Sequence, residues 1–127
     1  MIILLVGLPG SGKTHFGKSL PLLFFDDLTQ NGGLGIVEVR DGVVIISDYG
    51  FIFEETRKNA VAMLEQKFPQ RKIGWVVWEN DPEQCWWNIC QRKDGRVINK
   101  EALFEASKRY TYPETLLVKF PVYSSNF

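Results

Sequence analysis

The chain has 127 residues, of which 45% are hydrophobic, and its 15 Lys and Arg residues are balanced by 15 Asp and Glu. That length suits one domain spanning 1–127 with a real core, and zero net charge excludes a protein that holds nucleic acid or an anionic membrane by its overall field. No apolar run approaches the roughly 20 residues needed to cross a bilayer.

Met1 to Val6 is a short, almost wholly apolar run and reads as a strand buried on both faces. It has no basic flank and is too short for the core of a signal peptide. It leads into Gly7-Leu8-Pro9-Gly10-Ser11-Gly12-Lys13-Thr14, a complete match to G-x-x-x-x-G-K-[ST], and Thr14 opens a helix to about Leu20. Strand, loop and helix together make a phosphate loop: backbone N–H groups converge on one point, and the positive end of the helix adds to them. The expected nucleotide-binding residues are Gly7, Pro9, Gly10, Ser11, Gly12, Lys13 and Thr14, with His15 directly after them. Lys13 is expected on the β- and γ-phosphate oxygens of ATP, and the Thr14 hydroxyl on Mg²⁺. For His15, the single histidine, helix packing or a local polar contact is the competing role.

Pro21 to Phe25 reads as a second strand, stopped by Asp26-Asp27. A turn-rich stretch follows from Thr29 to Gly35, then a short strand-like or irregular piece from Ile36 to Val39. Val43 to Ser47 is a buried strand ending in Asp48, the form of a Walker B element, which makes Asp48 a second candidate for Mg²⁺; capping a turn is the alternative. Phe53 to Phe68 carries Ala60, Val61, Met63, Leu64 and Phe68 at helical spacing and stops before Pro69. Ile73 to Trp78 is a fourth strand, and Asp81-Pro82-Glu83 opens a helix to about Gln91. Cys85 and Cys90 fall on different faces of that helix, so free thiols in a reducing, cytoplasmic setting are expected. Asn99 caps a further helix to about Tyr110, and Leu116 to Phe120 is the fifth strand.

Strands alternating with helices behind a phosphate loop call for an α/β fold with a parallel sheet, whose ligands lie beyond the carboxyl ends of the strands. Asp26 or Asp27, at such an end, can serve as general base toward an attacking hydroxyl; capping of the next segment is the alternative. The run Arg92-Lys93-Asp94-Gly95-Arg96 joins two helices, which suits either a lid at about 92–98 that brings arginine to the transferred group or a solvated turn. Asn88 shares a helical face with Arg92. A GTPase is disfavoured, because Asn99-Lys100-Glu101-Ala102 lacks the Asp that reads guanine.

These motifs, in this order, resemble the P-loop kinase family, most closely the kinase domain of phage polynucleotide kinases and related small phage kinases. The resemblance implies a three-layer P-loop fold with strand order 2-3-1-4-5 and transfer of the ATP γ-phosphate to a hydroxyl. The implied acceptor is a 5′-hydroxyl or a modified base, in single-stranded nucleic acid or a nucleoside. It implies Asp26 as the base, Asp48 as a magnesium or substrate-orienting acid, and Arg92 or Arg96 as the lid arginine. Two departures stand out: Thr29 occupies the position where the phage enzymes carry an acceptor-contacting Arg, and the region before the third strand is short and Gly-rich. A small-metabolite or nucleotide kinase and a non-catalytic nucleotide-binding module are the competing readings.

Overall fold

The computed structural model describes residues 1–26, 42–92 and 99–124. Asp27, the segments at 29–35 and 36–39, Arg96 and the body of the expected lid lie outside the described residues. The strands are β1 (Ile2–Val6), β2 (Leu23–Phe25), β3 (Val44–Ser47), β4 (Ile73–Trp78) and β5 (Val118–Phe120). The helices are α1 (Lys13–Ser19), α2 (Glu54–Lys67), α3 (Pro82–Gln91) and α4 (Lys100–Arg109), with a 3-10 turn at Tyr49–Ile52.

The strands form one sheet of order β2-β3-β1-β4-β5, parallel at every pairing, with helices flanking it. β1 is central because its side chains have nowhere polar to go: Ile2, Leu4, Leu5 and Val6 are fully buried. It pairs with β3 through Ile2↔Val44 and with β4 through Ile2↔Ile73. The link from β1 to β2 passes β3, and the link from β3 to β4 passes β1 in the opposite direction. Right-handed crossovers therefore put α1 and α2 on opposite faces, and the change of direction falls beside β1.

Each helix follows from local chemistry. α2 buries Arg57, Ala60 and Leu64, which stand on one stripe, and ends where the Phe68 N–H caps Leu64 O ahead of Pro69. In α3, the Asp81 carboxylate accepts from Gln84 N at 3.1 Å and Pro82 occupies the first turn. In α4, Asn99 Oδ1 accepts from Glu101 N at 2.8 Å, while Lys108 and Arg109 sit in the last turn, where the helix dipole favours cations. On the α1 side of the sheet, Phe16, Trp78 and Phe120 form a triad with all centroid separations at 5.4 Å. Phe51 meets Trp75 edge-on at 5.6 Å. Cys85 is buried and Cys90 exposed, as their spacing required, and neither is bonded. No helix among the described residues is long and apolar enough to cross a membrane.

Candidate nucleotide site

The loop from Gly7 to Thr14 leaves β1 at its carboxyl end and turns into α1. Gly10 and Gly12 have φ of 85° and 102°, left-handed values that an L side chain resists, so the sharp path of the loop depends on both. Gly10 is fixed a second time by crowding, since a Cβ there would collide with the Cys85 carbonyl oxygen and stand 3.0 Å from Ile89 Cγ1. Ser11 N donates to Leu8 O at 3.1 Å, and Phe16 N to Gly12 O at 2.9 Å, closing the turn and starting the helix. The Ser11 hydroxyl is buried and has no hydrogen-bond partner among the described residues. A buried orphan hydroxyl in a loop of this sequence suits an anion as the missing partner.

Lys13 is 9% exposed at the foot of the loop. Burial pulls its ammonium down from the ordinary lysine value to about 8. The charge of Asp26 is the largest of the effects that raise it again, Cys85 and Asp48 also raise it, and Arg92 opposes them. The fold thus brings Lys13, Asp26, Asp48 and Arg92 into one field from the ends of β2, β3 and α3 and the start of α1. Asp26 is exposed at the end of β2. Asp48 Oδ1 accepts from Gly50 N at 2.8 Å, so the carboxylate also caps the 3-10 turn. Thr14 is half-buried in the first turn of α1, and His15 is exposed one residue on, where no core packing holds it.

Other contacts were not legible beforehand. Asn88, 4% exposed, donates from Nδ2 to Gly10 O at 2.9 Å and to Tyr123 O at 2.8 Å, while Gln84 Nε2 donates to its Oδ1 at 3.0 Å. The Tyr110 hydroxyl donates toward Trp78 O at 2.6 Å and lies 3.3 Å from Val6 O, tying the root of the loop to β4. Burial pushes that phenol well above its usual range. It also lifts the Cys85 thiol to about 12, leaving a thiol too protonated to act as a nucleophile. Of the four tryptophans, Trp78 is 4% exposed in the core, whereas Trp87 is 38% exposed.

No family model matches the sequence. The chain is 31% identical over 117 residues to "Uncharacterized protein R277" of Acanthamoeba polyphaga mimivirus, a match covering 86% of this chain and 85% of that protein. Its structure is similar to that of a gluconokinase from Sinorhizobium meliloti 1021, with a TM-score of 0.62 and 14% identity, over 94% of this chain and 79% of the other. The chain therefore belongs to the family of the mimivirus protein, and it is built on the fold of a P-loop kinase.

Proposed function

We propose that this protein is an ATP-dependent kinase that moves the γ-phosphate to a hydroxyl, with a 5′-hydroxyl or modified base of a polynucleotide or nucleoside as acceptor. The observation that carries the reading is the convergence on one buried cation: Lys13 lies under a complete phosphate loop, with Asp26, Asp48 and Arg92 in its field. The orphaned Ser11 hydroxyl and the two left-handed glycines fit a polyphosphate in the cradle.

Asp26, exposed at the end of β2, accepts the proton of the acceptor hydroxyl, whose oxygen then attacks the γ-phosphorus. The bond from the γ-phosphorus to the β–γ bridging oxygen breaks, and ADP leaves with that oxygen. Lys13 and Arg92 offset the charge on the transferred group and the leaving group. Mg²⁺, when bound, draws charge from the phosphate oxygens, and Thr14 and Asp48 offer the hard oxygen donors that this ion takes. A small-metabolite kinase is the second reading, favoured by the equal counts of acidic and basic residues, which give no general attraction for a polyanion.

The deciding experiment is transfer from labelled ATP to a panel of 5′-hydroxyl oligonucleotides, nucleosides and sugars. Lys13→Ala is expected to lower transfer by at least about 100-fold with the fold intact. Asp26→Asn is expected to keep ATP binding and lose transfer, because only the proton acceptor goes. Normal turnover in folded Lys13→Ala defeats the assignment.

A further inference from the structure

Tyr49 follows Asp48 directly, and its ring stands at the end of β3 with 43% of its surface exposed. The turn that carries it packs against α2 and the segment after α4. The Tyr49 ring meets Phe53 at a centroid distance of 6.0 Å and an angle of 80°. Gly50 lets the turn pack closely, since a Cβ there would lie 2.8 Å from Thr56 Cγ2. Arg57 ties the turn to the segment after α4: Nη1 donates to Phe51 O and Thr111 O, both at 2.8 Å, and Nη2 donates to Thr111 Oγ1 at 3.0 Å.

That tie brings the end of α4 over the same turn. The Arg109 guanidinium lies 4.6 Å above the Phe53 ring. Phe53 is therefore the ring that Tyr49 and Arg109 share. Among the described residues Arg109 forms no ion pair, whereas Lys58 and Lys108 each have a carboxylate partner. An exposed ring and a guanidinium with no ion pair among the described residues thus flank Phe53, and the ring follows directly on a carboxylate in the field of Lys13.

We propose that Tyr49 and Arg109 form the acceptor subsite, in which the Tyr49 ring stacks on a base and Arg109 takes an adjacent phosphate of a single-stranded nucleic acid. The inference rests on the kinase reading and names the acceptor class for that same site. A flat π surface accepts any base, and a guanidinium parked on an aromatic face keeps its N–H edge free for phosphate oxygens. A sugar acid would satisfy Arg109 and leave the Tyr49 ring without a stacking partner.

The test uses a 3′-fluorescein single-stranded DNA hexamer with a free 5′-hydroxyl, bound to the full-length protein and followed by fluorescence anisotropy. Calorimetric ATP affinity and apo Tm are measured beside it. Tyr49→Ala is expected to weaken hexamer binding by at least about 5-fold, and Tyr49→Phe by less than about 2-fold. Arg109→Gln should weaken it by about 10-fold and flatten the slope of log K against log salt by about 0.7. ATP affinity should hold in all three, with Tm lowered by no more than a few degrees, since Tyr49 and Arg109 each touch Phe53. Unchanged hexamer affinity in Tyr49→Ala and Arg109→Gln overturns the subsite, as does a wild type that binds a sugar acid and not the hexamer. If Tyr49→Ala fails to fold, the salt slope of Arg109→Gln decides. A wild type that binds the hexamer and not ATP defeats the kinase reading and leaves the subsite standing.

Discussion

The Lys13 ammonium sits where burial disfavours charge, and its pKa falls to about 8. The unfolded chain, with the ordinary value of 10.5, holds that proton more tightly than the native state does. The resulting penalty, on the order of 3 kcal/mol, is therefore full below pH 8, shrinks as pH rises toward 10.5, and is absent above it. An anion bound at that spot would offset the penalty. Polyphosphate beside Lys13 restores its pKa, so ATP binding near pH 9 is expected to take up close to one proton. Calorimetry at that pH in two buffers of different ionisation enthalpy measures the uptake, and Lys13→Met should abolish it. No uptake in the wild type would mean that no phosphate reaches Lys13.

Helix α3 shows how an element sets the site without offering a reacting group. Its Asn88 uses both amide hydrogens, one on the Gly10 carbonyl of the loop and one on the Tyr123 carbonyl, and Gln84 holds the amide in that orientation. Asn88→Asp keeps the size but turns two donors into a carboxylate facing two carbonyl oxygens. ATP affinity should fall by about 10-fold or more, with a lower apo Tm. Gln84→Ala should loosen ATP by only a few-fold and leave Tm in place. Wild-type ATP affinity in a folded Asn88→Asp would reduce the contact to simple packing. Sequence spacing placed Asn88 on the same face as Arg92, but Gly10 and Tyr123 lie 78 and 35 residues away, beyond anything helical periodicity can report.

For the whole molecule, the candidate site is a meeting of segments from both sides of the central strand: the loop after β1, the ends of β2 and β3, and helix α3. A ligand that bridges them binds the native state alone and stabilises all of it. ATP with magnesium at 100 times its Kd should add about 2.7 kcal/mol, a rise in Tm of roughly 10 °C for a domain this size. Differential scanning fluorimetry reads the shift, and Lys13→Ala should lose most of it. An unmoved Tm in the wild type at millimolar ATP would remove the nucleotide site itself.

Local chemistry was enough for most of the described strands and helices, though not for the 3-10 turn at Tyr49–Ile52 or the shorter extents of β2 and β5. Ile73–Trp78 and Pro82–Gln91 appear where β-branched runs and the Asp81-Pro82 cap put them, because strand and cap signals act between residues a few positions apart. The glycines, Lys13 and Thr14 stood out for the same reason, since the motif they match is made of consecutive residues. The strand order came from the family resemblance, and the sheet bears it out. Asp26, Asp48 and Arg92 were expected around the loop, and the fold puts all three in the field of Lys13; only the tertiary structure decided that Asn88 clamps Gly10 and that Arg57 gathers Tyr49, Phe53 and Arg109 at one strand end. Arg57 shows why. At the sequence level it is one more charge on an amphipathic helix, yet it is buried, because the two carbonyls that satisfy its Nη1 belong to Phe51 and to Thr111, 54 residues away. A side chain that bonds to distant backbone leaves no period or motif in the chain, since its partners exist only once the sheet has brought them together.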